Sequence, residues 1–387
     1  MYKIKTPSVY YEDPWIMPFE QRKQKLQGGD LRIAYYFGNK INNSTFRYRI
    51  YNMIQVIDDF IDEYSASYFI ENEIEYLINS VDDFDVLVIC RSKYTHKYNK
   101  LITLARNKGK IVYFDIDDFL FNSDSVDLMF DKLDLGVPDP NIWDMYFATT
   151  GRFAATMKLC DRMIATNDYL ASRMVEVTNK PADVIPNFIN REQMDYSERI
   201  YQEKTGNNFQ RDEYIHIGYF SGSHTHDKDF DLVSDALLDL LKRYSNVRLN
   251  LVGLVDIKAD MKAVNSQIKI VPLHDFVNLQ RLYASVEINL IPLLINQFNN
   301  CISELKFFET GIVGTTSVAS PVEPLKKVIH DSQNGYLANS YEWYDVISER
   351  IEHVDELPDI AINAANTSRE KFSYYNQVDK IRNLFSN

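Results

Sequence analysis

The chain has 387 residues, of which 45% are hydrophobic and 25% charged, with a formal net charge of −13. That is a globular composition, too long for one ordinary core and suited to two domains. The acidic balance argues against nucleic-acid binding, which needs an excess of cations to displace phosphate counterions. Cys90, Cys160 and Cys301 are far apart and odd in number, with no metal-ligand or disulfide spacing, which fits a reducing compartment. No apolar run approaches the roughly 18 residues that span a bilayer, and no apolar h-region follows Lys3 and Lys5. The expectation is a cytoplasmic protein without a leader, compatible with a place on the inner face of a membrane.

In chain order, Leu31 to Gly38 reads as a first buried strand ending in a loop, and Phe46 to Ile61 as a helix. Asp85 to Cys90 is a second strand, His96 to Asn107 a helix stopped by Gly109, and Lys110 to Phe114 a third strand. A helical run from Thr150 to Leu159 leads to a strand at Arg162 to Ala165, a helix at Asp168 to Val177, and the closing Val184-Ile185-Pro186-Asn187. Residues 191–213, polar and containing Gly206-Asn207-Asn208, read as a linker between a first domain, 1–190, and a second, 214–366. The second unit alternates again. Strands are expected at Ile215 to Phe220, Val247 to Val252, Ile268 to Val271 and Ile288 to Leu290, with helices at Phe230 to Tyr244 and Phe276 to Ala284. Residues 367–387 form a separate C-terminal helix. This alternation predicts an α/β protein with two doubly wound Rossmann-like units and a ligand in the crevice at their strand C-terminal ends.

Three places carry candidate chemistry. In the first domain, Asp115, Asp117 and Asp118 follow the hydrophobic strand Val112-Tyr113-Phe114. Carboxylates there can hold a divalent ion, act as a phosphoryl nucleophile with its acid/base partner, or contact sugar hydroxyls; an Asp pair capping a turn is the plain alternative. The metal reading fits poorly with two doubly wound units, and the nucleophile reading lacks the Gly-Thr that normally follows the second Asp. Gly38 and Asn39 open the loop after the first strand, and Arg47, Arg49 and Arg91 are minor candidates for steering an anion. Tyr10, Tyr11 and Trp15 suit a stacking groove less well than core packing.

In the second domain, Gly222-Ser223-His224-Thr225-His226-Asp227-Lys228 lies between a strand and a helix. Gly222 permits close backbone approach, and Ser223, His226 and Lys228 offer donors to a phosphate. His274 follows another strand end. Finally, Ser303-Glu304-Leu305-Lys306-Phe307-Phe308-Glu309 reads as a helix with Ser303 as N-cap and Gly314 as its stop. It offers a cation at Lys306 and, one turn on, a carboxylate at Glu309, an order that suits a diphosphate followed by a ribose diol.

The run from Ser303 through Ala319-Ser320-Pro321 to Asp331 and Gly335-Tyr336-Leu337 resembles the nucleotide-binding half of the family 4-like (group 1) glycosyltransferases. The Gly218-Tyr219 to Asp229 loop is similar to a pattern in subgroups of the same family. The resemblance implies two Rossmann-like domains facing a cleft (the GT-B type), a last helix that crosses back onto the first domain, and a nucleotide-diphosphate sugar as donor. It implies a retaining transfer to an acceptor hydroxyl on a glycan, a lipid-linked carrier or a protein, in bacterial surface glycan or glycoprotein assembly. Lys228 and Lys306 then face the diphosphate and Glu309 the ribose. His274 lies near the base. Asp117 or Asp118 stands where many members carry a sugar-facing His, and Cys301 stands where many carry a Glu eight residues before the ribose Glu. With Ser303 and Glu304 at the helix start, the expected catalytic set is Lys306, Asp117 and Asp118, with no metal and no cofactor. A sugar-nucleotide epimerase of the same fold and an inactive binding partner are the rival readings.

Overall fold

The computed structural model describes residues 1–133, 139–222, 227–255 and 258–386. It contains two six-stranded sheets in which every pairing is parallel. The first is built from β1 (Leu31–Phe37), β2 (Tyr64–Ile70), β3 (Val86–Cys90), β4 (Ile111–Asp115), β5 (Arg162–Ala165) and β6 (Ala182–Val184), in the order β2-β1-β3-β4-β5-β6. The second is built from β7 (Ile215–Ser221), β8 (Val247–Gly253), β9 (Ile268–Val271), β10 (Ile288–Ile291), β11 (Thr316–Ala319) and β12 (Tyr336–Leu337), in the order β12-β11-β10-β7-β8-β9. These are the two doubly wound units that the alternation predicts. The central strands are almost continuously apolar because helices cover both faces.

Strand order reverses between β1 and β3 in one sheet and between β7 and β10 in the other. At such switch points the two neighbouring loops diverge and leave a crevice beyond the strand ends. Register places Ile70, Phe37, Cys90, Asp115 and Ile164 in one row at the C-terminal edge of the first sheet. Asp115 is therefore the last strand residue, and Asp117 and Asp118 lie beyond the sheet.

Each sheet has a hydrophobic cluster on either face, and both sheets also recruit residues from outside their own unit. One cluster of the first sheet takes in Ile381, Leu384 and Phe385 from the terminal helix Val378–Ser386, and Tyr113 Oη donates to the Leu384 carbonyl at 2.7 Å. The expected single C-terminal helix is two, Leu357–Phe372 and Val378–Ser386, separated by extended backbone at Ser373.

The polar stretch read as a linker is mostly a 16-residue helix, Arg191–Gly206. Gln193, Ser197, Ile200 and Lys204 form its buried stripe at helical spacing. Lys204 is fully buried, with Nζ donating to the Ala284 carbonyl at 2.9 Å and to Thr315 Oγ1 at 3.1 Å. Burial pushes this amine well below its ordinary pKa. A stripe of polar side chains, each bonded in the core, is what made the segment look like a surface connection.

The helix predicted at Phe46 to Ile61 begins at Ser44 and contains a π-helical turn, Arg47–Tyr51. From this wide turn Arg47 and Tyr48, both buried, reach Glu309, while the equally buried Arg49 reaches Asp115. Strand β2 carries no apolar run long enough to announce itself in the sequence. It exists because it pairs in register with β1 from Leu31↔Tyr64 to Phe37↔Ile70.

Candidate active site: the cleft between the two sheets

A cavity of about 650 Å³ opens between the C-terminal edges of the two sheets. From the first half it is lined by Asn39 and Thr45 after β1, Arg91 and Lys93 after β3, and Asp117 and Asp118 after β4. From the second half it is lined by the end of β10 at Ile291 and Leu293, and by Ser303, Leu305 and Lys306. Both switch points thus contribute to one site.

The three aspartates have separate fates. Asp115 is fully buried and paired with the equally buried Arg49, whose Nε and Nη2 donate at 2.8 and 2.9 Å. Arg49 also donates to the Ile185 carbonyl at 2.7 Å and to Asn187 Oδ1 at 3.1 Å, so it fastens β4 to the segment after β6. Burial raises the Asp115 carboxyl above its ordinary range, against the pull of Arg49. Asp115 is a structural residue.

Asp117 and Asp118 instead share Arg91, whose Nη1 lies 3.0 Å from Asp117 Oδ1 and 2.8 Å from Asp118 Oδ2. Thr45 Oγ1 completes the set, donating to Asp117 Oδ2 at 2.9 Å and accepting from Arg91 at 2.8 Å. Burial raises the Asp117 carboxyl, and Arg91 opposes that rise. Arg91 itself has φ of +39°, a left-handed conformation that a non-glycine residue adopts only when its surroundings hold it there. Among the described residues no three His, Cys, Asp or Glu side chains converge as metal ligands.

On the opposite wall the helix is Leu305–Gly311, shorter than predicted. Its N-cap is Glu304 and not Ser303, because the Glu304 carbonyl receives the Phe307 and Phe308 N–H groups at 2.9 and 3.2 Å. The helix stops at Gly311, three residues before the expected Gly314, which at φ +66° instead closes the following turn into β11. Lys306 lines the cavity with Nζ 5.2 Å from the centre of the Tyr219 ring. Burial pushes the Glu304 carboxyl up to about 7.

Glu309, on the far side of this helix, does not line the cavity. It is buried among donors from three parts of the chain. Oε1 accepts from Gln193 Nε2 at 3.0 Å and from Tyr48 Oη, with Arg47 Nη2 at 3.4 Å; Oε2 accepts from Tyr283 Oη at 3.3 Å. The carboxylate therefore ties the second unit to the first in this conformation.

The other candidates are dispersed. Gly222 is exposed, and an added Cβ there meets nothing within 4 Å. Ser223 and His226 lie outside the described residues. Lys228 sits in the first turn of the helix Asp227–Arg243. His274 is exposed, its Nδ1 2.8 Å from the Pro272 carbonyl, and is not a cavity residue. Gly38 is needed by packing, since a Cβ would collide with Tyr98 Oη and press Ser92 Oγ at 3.1 Å. Trp15 is core, stacked on Phe276 at 6.0 Å, while Tyr10 is 87% exposed. Lys93, Thr45 and Asn187 are cavity residues that sequence reasoning did not single out. Their only signal was position, just after strand ends or in the loop that follows one.

Residues 215–354, beginning at the first residue of β7, match the family model described as Glycosyl transferases group 1. The match spans most of the unit built on the second sheet. No curated protein matches the sequence. Among solved structures, HepE from Anabaena in complex with UDP is 12% identical with a TM-score of 0.62, covering 92% of this chain and 100% of its own. Sucrose-phosphate synthase from Thermosynechococcus elongatus is 13% identical with a TM-score of 0.63, at 92% and 98% coverage. A glycosyltransferase from Rickettsia africae is 12% identical with a TM-score of 0.60, at 92% and 97% coverage. At such identities the likeness is one of fold, and it extends over both halves. The chain has the two-domain fold of these structures, the GT-B type, and its second unit carries the group 1 glycosyltransferase match.

Proposed function

We propose that the cleft binds a nucleoside diphosphate sugar and that the protein moves the sugar to an acceptor hydroxyl with retention of configuration and without a divalent metal. The observation that carries this reading is the cavity itself. Lys306, from the matched family region, shares it with the Asp117–Arg91–Asp118 cluster at the switch point of the other sheet. Its charged lining comprises three cations, Arg91, Lys93 and Lys306, and two carboxylates, in a chain of net charge −13.

In the transfer, the bond between the anomeric carbon and the β-phosphate oxygen breaks, and a bond to the acceptor oxygen forms on the same face. The acceptor proton passes to the departing phosphate. Negative charge grows on the diphosphate, where Lys306 and Lys93 stand as fixed positive charge; placing cations where charge develops lowers the barrier. Asp117 and Asp118 accept hydrogen bonds from sugar hydroxyls, and Arg91 holds them in place. Lys228 serves the same phosphate end, and Glu309 receives the ribose once released from its interdomain partners. Assembly of bacterial surface glycans or glycoproteins is the setting that such a reaction suits.

UDP is the nucleotide to test first, since HepE has been crystallised with UDP and with UDP-glucose. Calorimetric titration of UDP and a panel of UDP-sugars, followed by assays of donor hydrolysis and transfer with and without EDTA, examines each part. The expected outcome is nucleotide binding and slow donor hydrolysis that EDTA leaves intact. Isomerised donor would mark an epimerase, binding without turnover an inactive partner, and rescue of a chelated enzyme by manganese a metal-dependent site.

A further inference from the structure

Beside its charged residues the cavity has an apolar wall. Its first-domain wall continues from the Asp117–Arg91 cluster over Leu120 and Met129 to the long helix Pro140–Leu159. On that helix Ile142, Tyr146, Thr149 and Phe153 stand at i, i+4, i+7 and i+11, which is a single stripe. Tyr146, Thr149 and Phe153 line the cavity, whereas Ile142 is 36% exposed and carries the stripe outward. One further large apolar side chain, Met145 at 56% exposure, flanks this outer end.

The wall is built rather than incidental. The Tyr146 ring packs on Phe130 at 5.2 Å, and on the neighbouring face of the same helix Phe147 stacks on Trp143 at 5.3 Å and 18°. Trp143 is fixed in turn by a hydrogen bond from Nε1 to Asp127 Oδ1 at 3.1 Å. The helix is anchored beside the polar end of the cavity: Tyr94 N donates to the Arg152 carbonyl at 3.0 Å, and Arg152 Nε donates to the Tyr94 carbonyl at 2.9 Å. Lys93 Nζ lies 5.9 Å from the centre of the Phe153 ring. Phosphate-facing cation and apolar gallery are thus adjacent.

We propose that the acceptor carries an apolar group, an alkyl, prenyl or aryl aglycone, seated on Leu120, Met129, Tyr146 and Phe153 and running out toward Ile142. The inference rests on the sugar-transfer reading and names the acceptor class for it. A purely hydroxylated acceptor would lose water from its hydroxyls against Leu and Met side chains that return no hydrogen bond, which is unfavourable. An apolar group gains by leaving water there. Contiguous exposed apolar surface that continues a cleft is a mark of a ligand or partner surface. The wall joins the donor's cations without a break, so the group belongs to the molecule that meets the donor.

Binding of methyl, butyl and octyl β-glucoside, the last below its micelle concentration, tests this directly by calorimetry in the presence and absence of UDP. Affinity is expected to rise at least tenfold from methyl to octyl. Tyr146→Ser and Leu120→Asn, both at half-buried positions that tolerate change, are expected to remove that rise while UDP affinity stays as in the wild type. Equal affinity for the three glucosides, or a chain-length preference that survives both substitutions, overturns the proposal. No UDP binding by the wild type would instead overturn the transfer reading, because the glucoside titration in the absence of UDP is read independently of the donor.

Discussion

Replacing Glu309 with glutamine separates two roles that one carboxylate is asked to play. The side chain is 6% exposed and gathers four donors, from Arg47, Tyr48, Gln193 and Tyr283. Hydrogen bonds to a charged acceptor are worth about 1.5–3 kcal/mol against roughly 0.5–1.5 for neutral ones. The amide keeps one carbonyl oxygen for Tyr48 and Gln193, at reduced strength, and removes the countercharge from Arg47. The expected loss is about 2–4 kcal/mol of stability, hence a fall in Tm of roughly 5–10 °C by thermal unfolding without ligand. The same change is expected to weaken UDP binding by about 1–3 kcal/mol, the range for a lost charged bond to ribose. Tyr48→Phe is the control: it removes one competing donor and leaves the carboxylate, so stability falls by about 1 kcal/mol while UDP binding holds or tightens. A Glu309→Gln protein with wild-type Tm and urea midpoint would refute the energetic role of the network. A lowered Tm with unchanged UDP affinity would refute the ribose role and leave Glu309 as an interdomain tie.

The remaining expectations concern the other buried charges. Asp115→Ala leaves Arg49 without its countercharge and is expected to cost about 3–5 kcal/mol in urea unfolding, with most of it recovered in an Arg49→Met/Asp115→Leu double variant; a loss under 1 kcal/mol would contradict the assignment. Glu304 keeps its proton in the folded chain up to about pH 7 but sheds it near 4.5 when unfolded, so the unfolded state binds fewer protons in that interval. Stability should therefore fall as pH rises from 4.5 to 7 and level off above, by roughly 3 kcal/mol relative to Glu304→Gln. Parallel pH profiles for the two proteins would show that the carboxyl is ionised in the fold. Lys306→Ala should lower turnover on the order of a hundredfold with Tm near that of the wild type, and Asp117→Asn should reduce transfer while sparing bare UDP binding. Wild-type rates from either variant would place the diphosphate or the sugar elsewhere.

What the sequence determined by itself is the architecture. Apolar runs such as Asp85 to Cys90 and Ile215 to Phe220 are too short for core helices and fit strands buried on both faces, and parallel strands need crossover connections, usually helices. From that alternation follow two doubly wound units and a crevice at their strand ends. The segment from Ser303 to Leu337 named the family because its Lys, Glu, helix stop and strand are local, contiguous and fixed by short-range geometry.

Tertiary structure alone decided which charges face the cleft. Asp115 and Asp117 are two residues apart, yet one closes a strand row on Arg49 and the other projects beyond it to Arg91; sheet register and a π-helical turn made that choice. The partners of Glu309 lie up to 262 residues away in sequence, and no local pattern carries such a contact. The helix Arg191–Gly206 and strand β2 were hidden for the same reason. Ser65 reaches the Leu26 carbonyl, Ser197 reaches Gln280 and Lys204 reaches the Ala284 carbonyl only once distant segments have packed around them, and a buried polar group that is satisfied looks, in sequence, like one that faces water.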